Sequence, residues 1–598
     1  MISVDTARDW YQDTVTQSYE TVLNAQEDRD FKDGKQWSSD ELKELKRRNQ
    51  PPVVDNIVKG IVDSLKGFEI QSRTDIKGFP RNPNDEGAAE AATDALRFIA
   101  DNNNFDQIKT EVSDYIYIEG QAAAITEVVK KGNQYEITQT AIPFDRYFID
   151  KHSRRLDGKD KKYDGVALWM DKDDAKALYP NADESLFENS EDGEVHEDRP
   201  EDSYYDAGRN RVKIIEMYYN DKGWHRCVFT GGNGFIVDPH PSPYLDEDGE
   251  PSNPIETARA FLDRDNNPYG VVRQLKPLQR EINSRRSRAL HLLNTRQIIM
   301  EAGAVDNVTK ARQEAAKADG VLVRNKGFEF EINNNNDLAQ GQLALLEEAK
   351  RSAQASVLNP SLTGDEPRNL SGRALQARQQ GATLEITPLL DQGRDWQKRM
   401  YRQAWARVKQ FWNEERWIRV TDDEKNLKFI GLNRPVTAAE KLMQEEGGEE
   451  IIAQLQGDPR LNQVVEIENP TSELGLDIIL EDVPDTVNIQ SEQFELLANL
   501  AQANPDAIPF EMIIEASSIR NKNRILERLK GGTPEQQEQV QAQVQQAQEA
   551  KELEKLTAIA DIQSKEAKAN KDNADAEGQM IQNETAKAGI GVLLNASV

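Results

Sequence analysis

Residues 271–301 run VVRQLKPLQREINSRRSRALHLLNTRQIIME, a single long helix by its pattern and unlike the rest of the chain. The stretch holds Arg273, Lys276, Arg280, Arg285, Arg286, Arg288 and Arg296 against only Glu281 and Glu301. The chain as a whole has 105 Asp and Glu against 75 Lys and Arg, a net charge of −30, so this helix is a local reversal of sign. Its arginines can pair with acids of a neighbouring subunit, or they can form a wall facing phosphate. Helical spacing spreads Arg280, Arg285, Arg288 and Arg296 over more than one face, and an acidic assembly offers many partners. Both points favour pairing.

Working outward from this helix, residues 303–336 form a small insert. A short helix is expected over Asn307–Ala318 and a strand over Val321–Arg324. A turn at Lys326-Gly327 leads to a second strand, Phe328–Ile332, followed by four asparagines. A helix over Leu338–Leu358 returns, so the insert sits at the tip of a helical hairpin. Asn359–Ser371 is a loop carrying Pro360, Gly364 and Pro367. Gly372–Trp412 is one long helical pattern with Trp396, Met400, Ala404, Val408 and Phe411 in its stripe. Gly381 and Pro388 should kink it, because proline removes a donor and clashes with the carbonyl four residues back.

Upstream, the period is helical over residues 3–30 and again from Pro51-Pro52 to a stop at Gly67. Two more helices follow, one capped by Asn84 and running to Asn102, the other spanning Phe105–Gly120. From Ala122 the period becomes two. Ala124–Val129 and Tyr135–Thr138 flank Lys131-Gly132-Asn133 as a hairpin, and Gly165–Met170, Val212–Tyr219 and Trp224–Thr230 read as strands. The region up to residue 265 is therefore α+β. Downstream, Trp417–Val420 and Leu427–Ile430 form a hairpin, and residues 436–530 read as mostly helical around the strand Leu476–Leu480. After the boundary Gly531–Pro534, residues 535–588 form an Ala-rich helix with a narrow stripe that needs partners to bury it.

Several functions are disfavoured by composition. A strongly acidic chain does not hold nucleic acid by counterion release. The single cysteine, Cys227, permits no disulfide within the chain and suits a reducing compartment. Residues 1–13 lack the apolar run of a signal peptide, and no segment approaches the ~18 apolar residues of a membrane span. Gly231-Gly232-Asn233-Gly234 lacks the Lys-Ser/Thr of a phosphate cradle. His152, His196, His225, His240 and His291 have no ligand spacing, and Asp246-Glu247-Asp248-Gly249 lacks the closing Glu of a calcium loop. Cys227 reads as a small core residue with no base beside it. No cofactor, metal or catalytic residue is expected.

The order of these elements resembles tailed-phage portal proteins of the podovirus type with a C-terminal barrel. Asn266-Asn267-Pro268-Tyr269-Gly270 followed by Gln274–Asn283 is similar to the entry to the family's stem helix, and Ser371–Gln376 is similar to the start of its tunnel helix. Asp477–Pro484 with Gln493–Leu497 resembles its crown. Ile142–Asp145 through Asp150, with Asp164–Ala167, resembles its wing. The resemblance implies an α+β, mostly helical portal fold. It divides into an α/β wing (1–265), a stem helix (266–302), a small α/β clip (303–336), a second stem helix (337–358) and a tunnel loop (359–371). A kinked tunnel helix returning to the wing (372–435), a helical crown (436–532) and a helical tail or barrel (533–598) complete it.

It further implies a ring, expected to be a dodecamer, at one capsid vertex of a virion assembled in the bacterial cytoplasm, with no membrane partner. Double-stranded DNA is packaged and ejected through it without sequence reading. The clip, with Arg324, Lys326 and Gly327 at its turn, would face the terminase large subunit and later the tail adaptor. The wing would meet the major capsid protein or scaffolding protein. Asp365, Glu366, Arg368 and Arg373 would line the narrowest part of the channel. An internal ejection protein and an unrecognised hydrolase are the rival classes.

Overall fold

A computed structural model of the chain describes residues 1–482 apart from 72, 82–85, 133, 188–202, 207, 295, 318, 335, 356–371, 422–426, 445–458 and 473, and beyond them Ile514 alone. The elements below lie in one compact unit, Met1–Val483. The fold is mixed α and β, as expected.

Helix α1 (Val4–Asp33) opens on Ser3, whose Oγ accepts from the Thr6 amide at 3.2 Å, and ends on Gly34 with φ 94°. Helix α2 (Ser39–Arg47) has a reciprocal cap between Ser38 and Glu41. Helix α3 (Ile57–Gln71) does not stop at Gly67 as the sequence suggested. A mid-helix glycine costs about 1 kcal/mol. Here Phe68 packs on the core and Glu69 pairs with buried Lys109 at 3.2 Å, which offsets that cost.

Strand β1 (Thr74–Pro80), α4 (Glu86–Asn102) and α5 (Phe105–Ile118) follow. The expected hairpin is present as β2 (Gln121–Lys131) and β3 (Gln134–Ile142), turning at Gly132. Next come β4 (Tyr147–Ile149), β5 (Tyr163–Asp171), α6 (Lys172–Leu178), β6 (Tyr205–Asp206), β7 (Arg211–Asn220), β8 (Trp224–Phe229) and β9 (Phe235–Pro241). Their sheet has the order β4-β5-β7-β8-β9, with β6 beside β7. Strand β10 (Ile255–Arg259) joins the β2–β3 hairpin to make three strands. The stretches read as strands from their two-residue period lie in these elements, except that β8 stops at Phe229, one residue before Thr230.

A short pair, β11 (Phe261–Leu262) with β12 (Pro268–Tyr269), leads into α7 (Val271–Asn294). This helix ends at Asn294, short of the Glu301 expected. The rest is strand β13 (Arg296–Met300), which pairs antiparallel with β14 (Phe330–Asn334) around the short helix α8 (Val308–Ala316). The strand expected at Val321–Arg324 is an irregular segment instead. Ile298–Met300 is a short apolar run that closely follows a helix, and period alone cannot tell strand from helix over so few residues.

The returning helix is present as α9 (Asn336–Ala355), the last three residues of its expected span lying outside the described residues, and α10 (Gly372–Phe411) runs through Gly381 and Pro388 as one helix. Trp396, Met400, Ala404 and Val408 are fully buried on it, as their spacing predicts. The hairpin β15 (Arg416–Thr421) and β16 (Leu427–Leu432) is also present.

Beyond residue 433 the described part differs from the mostly helical expectation. It holds β17 (Arg434–Thr437), the short helix α11 (Ala438–Gln444), β18 (Val464–Glu468) and β19 (Leu476–Asp482). Strand β19 pairs antiparallel with β1, from Thr74↔Asp482 to Pro80↔Leu476. This strand, assigned by sequence to the crown, is thus stitched to the N-terminal part of the chain. The acidic stretch Glu191–Asp202, the segment 359–371 expected as a tunnel loop and the tail 533–598 lie outside the described residues.

Candidate stem, clip and channel elements

Helix α7 is fixed at its root by two glycines that cross backbone on backbone. A Cβ on Gly120 (φ +85°) would sit 2.0 Å from the carbonyl carbon of Tyr269, and one on Gly270 would sit 2.4 Å from the carbonyl oxygens of Tyr117 and Ile118. No side chain fits either position, so the end of α5 and the start of α7 touch as bare chain.

Along α7 a polar stripe at four-residue spacing, Gln279, Asn283 and Ser287, is buried. Each member is used. Gln279 Nε2 donates to the Asp55 carbonyl at 2.7 Å, and its Oε1 accepts from the Ile57 amide at 3.0 Å. Asn283 Oδ1 accepts from the Asp55 amide at 3.0 Å, and its Nδ2 donates to Gln36 at 2.6 Å. Ser287 Oγ donates to the Pro51 carbonyl at 2.5 Å. This ladder clamps α7 to residues 50–57. The signal that could have found it was in the sequence, as amides and a hydroxyl at i, i+4, i+8, but hydrophobic periodicity passes over it.

Five cations of α7, Arg273, Lys276, Arg280, Arg285 and Arg286, are paired within their own chain, whereas the sequence pointed to acids of a neighbouring subunit or to phosphate. Lys276 Nζ lies 2.6 Å from Glu27 and 2.7 Å from Asp28, which is fully buried. Arg280 also reaches Glu27, Arg285 reaches Glu281 at 2.6 Å, and Arg286 holds Asp55 together with Lys350 of α9. Burial pushes the Asp28 carboxyl above its usual range despite Lys276. Glu27 is also desolvated, but Lys276 and Arg280 hold its carboxyl low. Arg288 is exposed. Helix α9 packs Leu346, Ala349 and Ala353 against Ile282, which completes the hairpin.

At the hairpin tip, Asn325 Nδ2 donates to the Gly303 carbonyl at 2.9 Å and to Asp306 at 3.0 Å, while its amide donates to Ala304. These bonds pin the irregular segment that replaced the expected strand. Arg324, Lys326 and Gly327 are all exposed, and Gly327 has φ +95° with open space around it. Val321 and Val323 beside them are 74% and 80% exposed.

Of the residues expected to line a channel, Asp365, Glu366 and Arg368 lie outside the described residues. Arg373 and Gly381 are placed only as backbone of α10, and Pro388 is exposed on the same helix. The far half of α10 is locked down. Arg399 reaches Glu256 at 2.7 Å and the Thr257 carbonyl at 2.9 Å. Arg407, fully buried over the Tyr244 ring, donates to the Leu245 carbonyl at 2.7 Å, and burial lowers its guanidinium to about 10.

Asp246, in the suspected calcium turn, spends Oδ1 on the amides of Asp248 and Glu250 at 3.0 and 2.9 Å. Among the described residues no group of three or more His, Cys, Asp or Glu is placed to hold a metal, and no helix is long and apolar enough to cross a membrane. Burial pushes the Cys227 thiol up to about 12, which leaves it a core side chain rather than a nucleophile.

The family model of the phage P22-like portal protein matches residues 8–223 and 220–572. The protein named "Portal protein" of Helicobacter pylori bacteriophage KHP30 is 22% identical over 445 residues, which cover 71% of this chain and 69% of that one. The match covers the glycine joint, α7, α9 and the insert between them, and it decides against an internal ejection protein: the chain belongs to the P22-like family of phage portal proteins.

Proposed function

We propose that this portal protein closes head to tail into a ring, of twelve copies by the family resemblance, and that double-stranded DNA passes along its axis during packaging and ejection. The observation that carries this reading is the family match from residue 8 to residue 572. Head-to-tail closure needs two different patches on each copy, and a permanent contact buries about 2,000 Å² or more. A net charge of −30 suits a duplex that must slide, since DNA presents about one charge per 1.7 Å. Mass measurement of the purified chain at moderate salt tests this: a closed oligomer is expected, and monomers alone at high concentration overturn it.

Within that ring, Arg324, Lys326 and Gly327 form the contact for terminase and later the tail adaptor, because they stand exposed at the hairpin tip. The wing meets the capsid or scaffolding protein. The loop 359–371 narrows the channel, with Arg368 and Arg373 touching phosphate and Asp365 and Glu366 limiting the grip. A bend at Gly381–Pro388 turns α10 back into the wing, and residues 533–598 pack beside their copies as a helical barrel. The role is structural, with no catalytic residue. Arg368→Glu should change DNA retention more than ring assembly, and unchanged retention refutes the channel assignment.

A further inference from the structure

Resting on the ring reading, we propose that the basic loop 151–162 of the wing, together with Arg264, is the seat for the acidic segment 188–202 of a second copy of this chain. The loop joins β4 to β5 and reads KHSRRLDGKDKK, with six Lys and Arg against two Asp in a chain of net charge −30. Its acids do not neutralise its outer face. Asp160 accepts the Arg154 amide at 2.7 Å, the Arg155 amide at 3.2 Å and the Ser153 hydroxyl at 2.7 Å. Asp157 takes the Lys159 amide and the Arg155 guanidinium. Asp150, just before the loop, accepts the amides of His152 and Lys162 at 2.9 and 3.0 Å.

The carboxylates therefore tie the backbone, and His152, Arg154 and Lys159 stay exposed with no ion pair among the described residues. Arg264, 96% exposed, stands near them on the turn before β12, where Asn266 holds the carbonyls of Lys151 and Ser153 at 2.6 and 2.5 Å. Lys151, His152, Arg154 and Arg264 line one cleft of about 670 Å³, with Glu20 and Asp265 at its side. The backbone that carries these cations is already fixed, so only side-chain freedom is lost when an anion docks.

The occupant follows from charge. Residues 188–202, ENSEDGEVHEDRPED, carry eight acids and one arginine in the same wing. A heterologous ring contact must join two unlike patches of one sequence, and these are patches of opposite sign. A duplex is the poorer fit, because its unbroken phosphate row would meet Glu20 and Asp265, whereas Arg199 of the segment can answer them.

The test uses the full-length chain carrying Arg154→Cys and Glu194→Cys. Native Cys227 is fully buried and stays silent. Oxidation should join chains into a ladder on a denaturing gel without reductant, and neither single variant should do so. In parallel, Arg154→Glu with Lys159→Glu should weaken ring assembly at least tenfold at low salt, and adding Glu191→Lys with Asp192→Lys should restore it. A crosslink confined to one chain, rings that form normally without any crosslink, or a charge reversal that lowers duplex DNA binding and spares assembly each overturns the proposal. A wild-type chain that stays monomeric by mass instead removes the ring reading on which it rests.

Discussion

The root of the hairpin formed by α7 and α9 and the tip carried between these helices are stabilised in opposite ways. At the root, α7 spends its polar side chains on its own chain: Gln279, Asn283 and Ser287 on residues 50–57, Lys276 on Asp28. At the tip, Val321, Val323 and Val308 stand more than half exposed, and the polar bonds of Asn325 hold the segment in shape without burying it. Apolar burial drives folding at about 25 cal/mol per Å². The root therefore satisfies its polar groups within one chain, while the tip leaves apolar surface exposed. An element that docks must hold its shape and still have something left to bury.

Glycines give the sharpest contrast between the two ends and the largest expected effect. Gly270→Ala would drive a methyl group into the Tyr117 and Ile118 carbonyls at 2.4 Å. It should cost about 3 kcal/mol or more, because backbone cannot swing aside as a side chain can. Gly327→Ala at the tip meets open space and only the left-handed backbone strain, about 1 kcal/mol. Thermal unfolding of both variants checks this, and equal losses would erase the distinction between root and tip.

The next effect concerns charge at the root. Lys276→Met leaves fully buried Asp28 with Arg273 alone at 3.9 Å. Stranding one member of a buried pair costs about 3 kcal/mol. The loss should shrink at acid pH, where Asp28 is neutralised. A flat response to pH would mean that Arg273 moves in to replace the lysine.

Much of this was legible in the sequence, and the failures have physical reasons. The stripe of α10 and the β2–β3 hairpin were read correctly because their patterns are local and their burial is one-sided. Strand β1 was missed, since its partner β19 lies about four hundred residues away and no local period announces such a pairing. Gln297–Met300 was read as helix because an adjoining helix set the phase. The ladder Gln279–Asn283–Ser287 is regular but polar, and the eye follows apolar residues. The turn at Lys326-Gly327 is present as its residues predict, although the first strand expected beside it is not. Of the channel residues, only the backbone of Arg373 falls within the described part of the chain.

A smaller effect sits beside the root, where Arg29 joins Glu119 at 2.7 Å and also reaches Asp114. Burial raises the Glu119 carboxyl to about 7 against the pull of Arg29. The folded chain then binds a proton that the unfolded chain releases near 4.3. The stability tied to that proton is complete at lower pH and is lost as pH rises through about 7, with a slope of up to ~1.4 kcal/mol per unit. Unfolding temperatures at pH 5 and pH 8 should therefore differ less in Glu119→Gln than in the wild type. An identical slope in both would place the titration elsewhere.

The smallest expected change in stability is at the tip, and there a null result carries the information. Val321 and Val323 are 74% and 80% exposed, so Val321→Lys with Val323→Lys removes almost no buried apolar area from the folded chain. Surface replacements of this kind stay within about 0.5 kcal/mol. Unfolding should be unchanged, whereas binding of the clip to its packaging or tail partner should fall, because two desolvated valines at the centre of a contact become two charges that must be buried there. Both quantities can be measured on one preparation, by thermal unfolding and by co-sedimentation of rings with the partner. A drop in unfolding temperature would mean that the valines already pack within the chain, and the tip would then be built like the root. Unchanged partner binding would mean that docking runs through Arg324 and Lys326 alone, and that the exposed valines serve the neighbouring clip instead.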